Sequence, residues 1–169
     1  MKKRSMFALL AFVAVFSIGF VSCKKETYVD SSSGTYRAYV NIAPSQWTYD
    51  SQSGIYYKDV DASSILPLDF TYTVDGILMF GGPSTADAVS GVTYPINGNK
   101  TLIDGYYYYF DAAEDQTIRI YAEPVSGSSA PSTYMFFNII FVQPEDLGEL
   151  SNINTNDYLQ VKKALNIKD

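Results

Sequence analysis

The sequence predicts an all-β domain, a two-layer antiparallel sandwich closed by a short C-terminal helix. Three observations predict it. Apolar residues recur at every second position through most of the chain, the period of a half-buried strand rather than of a helix. Turn-forming residues break that alternation at short intervals, and Pro67, Pro83, Pro95, Pro124 and Pro131 lie at or near predicted strand ends, where a missing backbone donor is tolerated. The composition is 47% hydrophobic with 15 Tyr and 10 Phe, which favours strands and supplies enough apolar surface to exclude a disordered chain.

The elements follow in order from Thr35. Tyr36, Ala38, Val40 and Ile42 alternate with Thr35, Arg37, Tyr39 and Asn41, so residues 35–42 form a strand with one apolar face. Two shorter strands are expected around Trp47 and over 55–60. Leu68, Phe70, Tyr72 and Val74 alternate again, and Asp75-Gly76 is the dipeptide of a tight hairpin turn, so Ile77–Phe80 is expected to return beside 68–74. Its unbroken apolar run suits a strand buried on both faces. Val92, Tyr94 and Ile96 precede Asn97-Gly98, with 101–103 expected to pair back. Tyr106–Phe110 and Gln116–Ala122 flank an acidic turn at 111–115, and Thr133–Val142 is the last long strand. Seven to nine short strands of this kind give an Ig-like sandwich over 35–143, with a barrel as the alternative. In the extension 144–169, Tyr158, Val161 and Leu165 place one apolar stripe on a short helix over 154–166, capped by Thr155 or Asn156, which docks on the sandwich.

Ahead of the domain, Lys2, Lys3 and Arg4 precede an apolar run of 16 residues from Met6 to Val21. Basic residues followed by a short apolar segment make a secretory signal over 1–22, and the run falls short of the ~20 residues that span a bilayer comfortably, leaving an uncleaved anchor as the lesser reading. Phe20-Val21-Ser22-Cys23 resembles a bacterial lipobox, with Phe20 where Leu is usual. The resemblance implies cleavage before Cys23 and acylation of its thiol and new amino group, which anchors the chain in a membrane. Residues 23–34, with Ser31, Ser32, Ser33 and Gly34, have a tether's composition. Loss of residues 1–22 removes three basic residues and no acid, leaving nine against 18 and a net charge of −9. Such a surface disfavours nucleic acid.

The 169 residues contain no His and one Cys. Zinc sites of the usual kind, His-dependent triads and intramolecular disulfides are therefore out of reach of a single chain, and no cofactor is expected. Carboxylates are the abundant acid–base groups. Asp59 with Asp61, and Asp111 with Glu114 and Asp115, are the pairs a small glycan hydrolase would draw on, although nothing flanking them suggests a cleft that raises one pKa. The acidic turn lacks EF-hand spacing, and Gly81-Gly82-Pro83 lacks the Lys-Ser/Thr of a phosphate loop. Aromatic side chains are the better candidates for binding. Of Tyr106–Tyr109, alternate residues must point to opposite faces, so one pair can enter the core while the other lies on the surface, and Tyr107 and Tyr109 are taken as the surface pair. With Trp47, Tyr56 and Tyr57 they form the expected ligand-binding patch for a glycan or a protein, against the ordinary alternative of core packing.

Gln46-Trp47-Thr48-Tyr49-Asp50, Gly54-Ile55-Tyr56-Tyr57, Asp75–Phe80, Tyr106–Tyr109 and the terminal Asn156-Asp157-Tyr158 with Val161–Leu165 together resemble a group of small uncharacterised β-sandwich lipoproteins of Bacteroidota. The resemblance implies an anchored envelope domain and brings no catalytic residues. The expectation is thus a non-enzymatic binding or structural module, lipid-anchored at Cys23 in the cell envelope, with outer-membrane placement. The alternatives are the glycan hydrolase and an accessory subunit of an envelope assembly that receives a partner strand at a sheet edge.

Overall fold

A computed structural model describes residues 35–83, 93–97, 100–112, 116–127 and 129–167. The signal segment 1–22, Cys23, the tether 23–34, Val92, Gly98, Glu114 and Asp115 lie outside the described residues. Among those described, nine strands make two antiparallel sheets. The first holds β1 (Thr35–Ile42), β9 (Met135–Val142), β4 (Ile77–Gly82) and β5 (Tyr94–Pro95), side by side in that order. The second runs β2 (Thr48–Asp50), β3 (Ile55–Asp61), β8 (Thr117–Pro124), β7 (Tyr106–Ala112) and β6 (Thr101–Ile103). The two-layer β-sandwich is the fold.

Period-two alternation decides what each sheet turns inward. Met135, Phe137, Ile139 and Phe141 of β9, Ile77 and Met79 of β4, and Ala38 and Ile42 of β1 meet Ile118, Ile120 and Ala122 of β8 with Tyr108 of β7 in one core. The opposite face of the four-stranded sheet is buried as well. Leu78 and Phe80 of β4 and Ile140 and Val142 of β9 pack against Leu150, Tyr158, Val161, Leu165 and Ile167 of the C-terminal extension. That extension turns through a 3-10 segment, Pro144–Leu150, and ends in the helix α1, Tyr158–Ala164. β1 is consequently covered on both faces over its first half: Thr35 and Arg37, expected on a solvated face, are buried, and an Arg37 Nη1 donates to the Tyr158 hydroxyl at 3.3 Å.

Four local expectations are corrected. Residues 68–74 form no strand, and β4 lies between β9 and β5 instead of beside them. The segment crosses from one sheet to the other, and its aromatic side chains pack against the inter-sheet core: Phe70 meets Tyr36 edge-on at 4.5 Å, and Tyr72 meets Phe141 at 5.2 Å. Gly76 does not serve a tight hairpin turn. A Cβ there would sit 2.5 Å from the Val142 carbonyl oxygen, so glycine is required by the close approach of the chain to β9. Residues 94–95 and 101–103 do not pair with each other, because the chain changes sheets between them. Asn97 is the clasp at that crossing: its Oδ1 accepts from the Met79 amide at 2.6 Å, and its Nδ2 donates to the Thr155 carbonyl at 2.9 Å. Finally, the cap of α1 is Asp157, whose carboxylate accepts from the Leu159 and Gln160 amides, in place of Thr155 or Asn156.

Candidate functional site

The outer face of the five-stranded sheet differs from that of its partner sheet. None of its outward side chains is buried, whereas the other sheet is largely roofed by the C-terminal extension. Strand register builds this face row by row. The central row runs from Tyr57 on β3 to Tyr121 on β8 and Tyr109 on β7, with Lys100 ahead of β6 at its end. On one side lies a charged row, Asp59, Arg119 and Asp111. On the other lie Glu123, Tyr107 and the exposed Leu102.

Of the five aromatic residues expected in a surface patch, Tyr57, Tyr107 and Tyr109 share this face. Trp47 and Tyr56 do not, and each is only 7% exposed. Parity is the reason for Tyr56, which points inward with Val60 while its neighbour Tyr57 points outward with Asp59. Trp47 follows the 3-10 turn Pro44–Gln46 and drops into the core 6.0 Å from the Tyr108 ring. Sequence reasoning missed Tyr121, Arg119 and Lys100. The signal for Tyr121 and Arg119 was present, since Arg119, Tyr121 and Glu123 alternate with the buried Ile118, Ile120 and Ala122.

The rings are held in place. Tyr109 and Tyr121 stack with centroids 4.7 Å apart and planes 15° from parallel, a separation equal to the spacing of neighbouring strands. Both residues are half-buried, and their hydroxyls donate to the Glu123 and Asp111 carboxylates. Cations lie over two of the rings: the Arg119 guanidinium lies 4.3 Å from the Tyr57 centroid and the Lys100 ammonium 4.9 Å from that of Tyr109. Arg119 in turn grips Asp59 with two hydrogen bonds, Nε at 2.6 Å and Nη2 at 2.8 Å, and Lys100 pairs with Glu123. Cation, ring and carboxylate alternate across the face, fixing rotamers before any ligand arrives.

These contacts set the protonation states. The hydrogen bond from Arg119 holds the Asp59 carboxyl below its ordinary range, the opposite of the raised acid a glycan hydrolase requires. Asp61 shares this sheet face and accepts from the Ser63 hydroxyl at 2.5 Å. Partial burial, followed by the charge of Glu123 and a hydrogen bond to it, pushes the Tyr109 hydroxyl up to about 12. Tyr121 is raised by desolvation and then by Asp111, and burial raises the core Tyr108 further. A raised folded-state pKa means that the stability these groups add is complete below the unfolded tyrosine value near 10 and is lost as pH climbs through the folded values. Alkaline titration followed by tyrosinate absorbance is expected to show a late-ionising class at about 12 that vanishes on unfolding in urea. A single transition near 10 in both states would contradict the described face.

No family model, curated protein or solved structure matches this chain. Among the described residues no group of three or more Cys, Asp or Glu side chains is placed to hold a metal ion, and no helix is long and apolar enough to cross a membrane. The site is therefore read from its own chemistry.

Proposed function

We propose that the chain is a lipoprotein of the bacterial cell envelope, anchored through Cys23 in the outer membrane, and that it binds a protein partner through the tyrosine face without catalysing a reaction. One observation carries the binding half: the four-stranded sheet is roofed by the chain's own C-terminus, while the five-stranded sheet presents its ordered rows of Tyr, Arg and Lys to solvent. Tyr and Arg are the residues most enriched where protein interfaces concentrate their energy, because they bring large contact area with few rotatable bonds. Pre-set rotamers lower the entropy lost on binding.

The flanked rings favour a protein over a glycan. A sugar stacks on an open ring face, and the Tyr109 ring is flanked by Tyr121 and Lys100 while Tyr57 carries Arg119. What the surface offers is tyrosine side chains and paired charges of both signs, which suit the polar groups and backbone of another protein. The anchor half rests on the basic, apolar and Cys23 sequence of the leader, and the mature charge of −9 leaves acyl chains as the means of membrane attachment.

The test uses cells fed labelled palmitate and expressing the full chain with a photo-crosslinking phenylalanine at position 102, 107 or 159. Leu102 and Tyr107 lie on the tyrosine face, and the exposed Leu159 lies on α1. The expected result is one discrete protein adduct, shared by positions 102 and 107 and absent at 159, on a palmitate-labelled chain that loses its label in Cys23→Ser. Adducts at all three positions, or at 159 alone, overturn the binding face. An unlabelled chain overturns the anchor.

A further inference from the structure

Two sheets have four edges, and three of them are blunted. β5 is two residues long and contains Pro95, β2 is three residues long and ends in Asp50, and β6 is three residues long and follows Lys100. Short strands, proline and charge are the devices by which sheets avoid pairing with other chains. β1, the fourth edge, has none of them. It is eight residues long, contains neither proline nor acid, and its one charge, Arg37, is buried beside the C-terminal extension. Among the described residues no strand pairs with its outer side.

We infer that β1 is a self-association edge, pairing antiparallel with β1 of a second copy so that two four-stranded sheets become one continuous sheet. The reading is independent of the tyrosine face. Parity restricts the register, since inward side chains must oppose inward ones, and centring the two-fold on Ala38 gives a self-complementary ladder. Tyr36 then opposes Val40, Arg37 opposes Tyr39, Thr35 opposes Asn41, and the smallest side chain meets its own copy at the axis. Aromatic against β-branched and cation against ring are favourable cross-strand pairs, and Arg37 already lies 4.9 Å from the ring of Tyr39 within its own chain. Charge also selects a second copy. Residues 31–49 contain no carboxylate in a chain whose mature charge is −9, so two acidic domains meet here with no acid opposing acid in the ladder.

The test is sedimentation velocity on the full chain in density-matched detergent across a concentration series, with two variants of one position. Tyr39→Lys puts a cation opposite the partner's Arg37 twice per dimer, and Tyr39→Glu puts a carboxylate there. Both lose the same ring contact with Phe136, 5.4 Å away, and both change the contact with Arg37 of their own chain, so urea denaturation at concentrations below dimerisation measures that intrachain part separately. The expected result is a reversible wild-type dimer, weakened about tenfold or more by Lys and held or tightened by Glu. A second readout does not depend on those variants folding: Thr35→Cys with Asn41→Cys, residues six apart in one strand and opposite each other across the axis, is expected to yield covalent dimer with a short bis-maleimide. A wild type that stays monomeric, or Lys and Glu variants that dimerise equally, overturns the inference.

Discussion

Phe80→Ala is expected to cost the fold about 3–5 kcal/mol, as much as Phe137→Ala in the inter-sheet core. The two phenylalanines lie on opposite faces of one sheet. Phe137 is fully buried against Tyr108, 6.0 Å between centroids. Phe80 is equally buried, but its cover is the C-terminal extension, with the Tyr158 ring edge-on at 5.2 Å. Equal costs mean that the extension is a third layer of the domain, joined to it by Val161 and Leu165 from above and by Ile140 from below. Urea denaturation of both variants measures the difference directly, with an unchanged slope as the check that one cooperative unit is lost. A cost below about 1 kcal/mol for Phe80→Ala, with Phe137→Ala still severe, would reduce the extension to an appendage.

Asn138→Val is expected to act in the opposite direction, raising stability by about 1–2 kcal/mol. Asn138 stands in β9 between Tyr39 of β1 and Phe80 of β4. It is fully buried, and neither its Oδ1 nor its Nδ2 has a hydrogen-bond partner among the described residues. Desolvating an amide without compensation costs about 1–3 kcal/mol, and a β-branched residue of similar size suits a central strand. Asn138→Asp supplies the contrast, because an uncompensated buried charge is worse than an uncompensated amide and should lose about 3 kcal/mol or more. Thermal melts of the three proteins must rank Val, then Asn, then Asp. A destabilised Val variant would mean that the amide is satisfied in solution.

Much of this architecture was legible because the burial period is local. The strands 35–42 and 117–124 each display an alternation of apolar and polar residues within eight residues. Illegible were the places where a residue answers to a distant partner. Asp75-Gly76 reads as a hairpin turn, yet its glycine is dictated by the carbonyl of Val142. Asn97 reads as turn chemistry, yet it joins Met79 to Thr155. Arg37 reads as solvent-facing until Tyr158 is placed above it. The tyrosine face was half visible for the same reason: parity separates Tyr107 and Tyr109 from their neighbours, while the adjacency of Tyr109 and Tyr121 depends on which strands pair.

Strand order also dictates when this protein can fold. β9, the last strand made, is inserted between β1, the first, and β4. As the polypeptide leaves the ribosome amino-terminus first, Thr35–Ile42 has no neighbour until residues 135–142 have emerged about a hundred positions later, and Tyr56 waits for Ala122 in the same way. Such distant pairings make folding slow and nearly all-or-none. The first sheet consequently cannot close until the last strand is available, and a truncation that removes β9 deprives it of its centre.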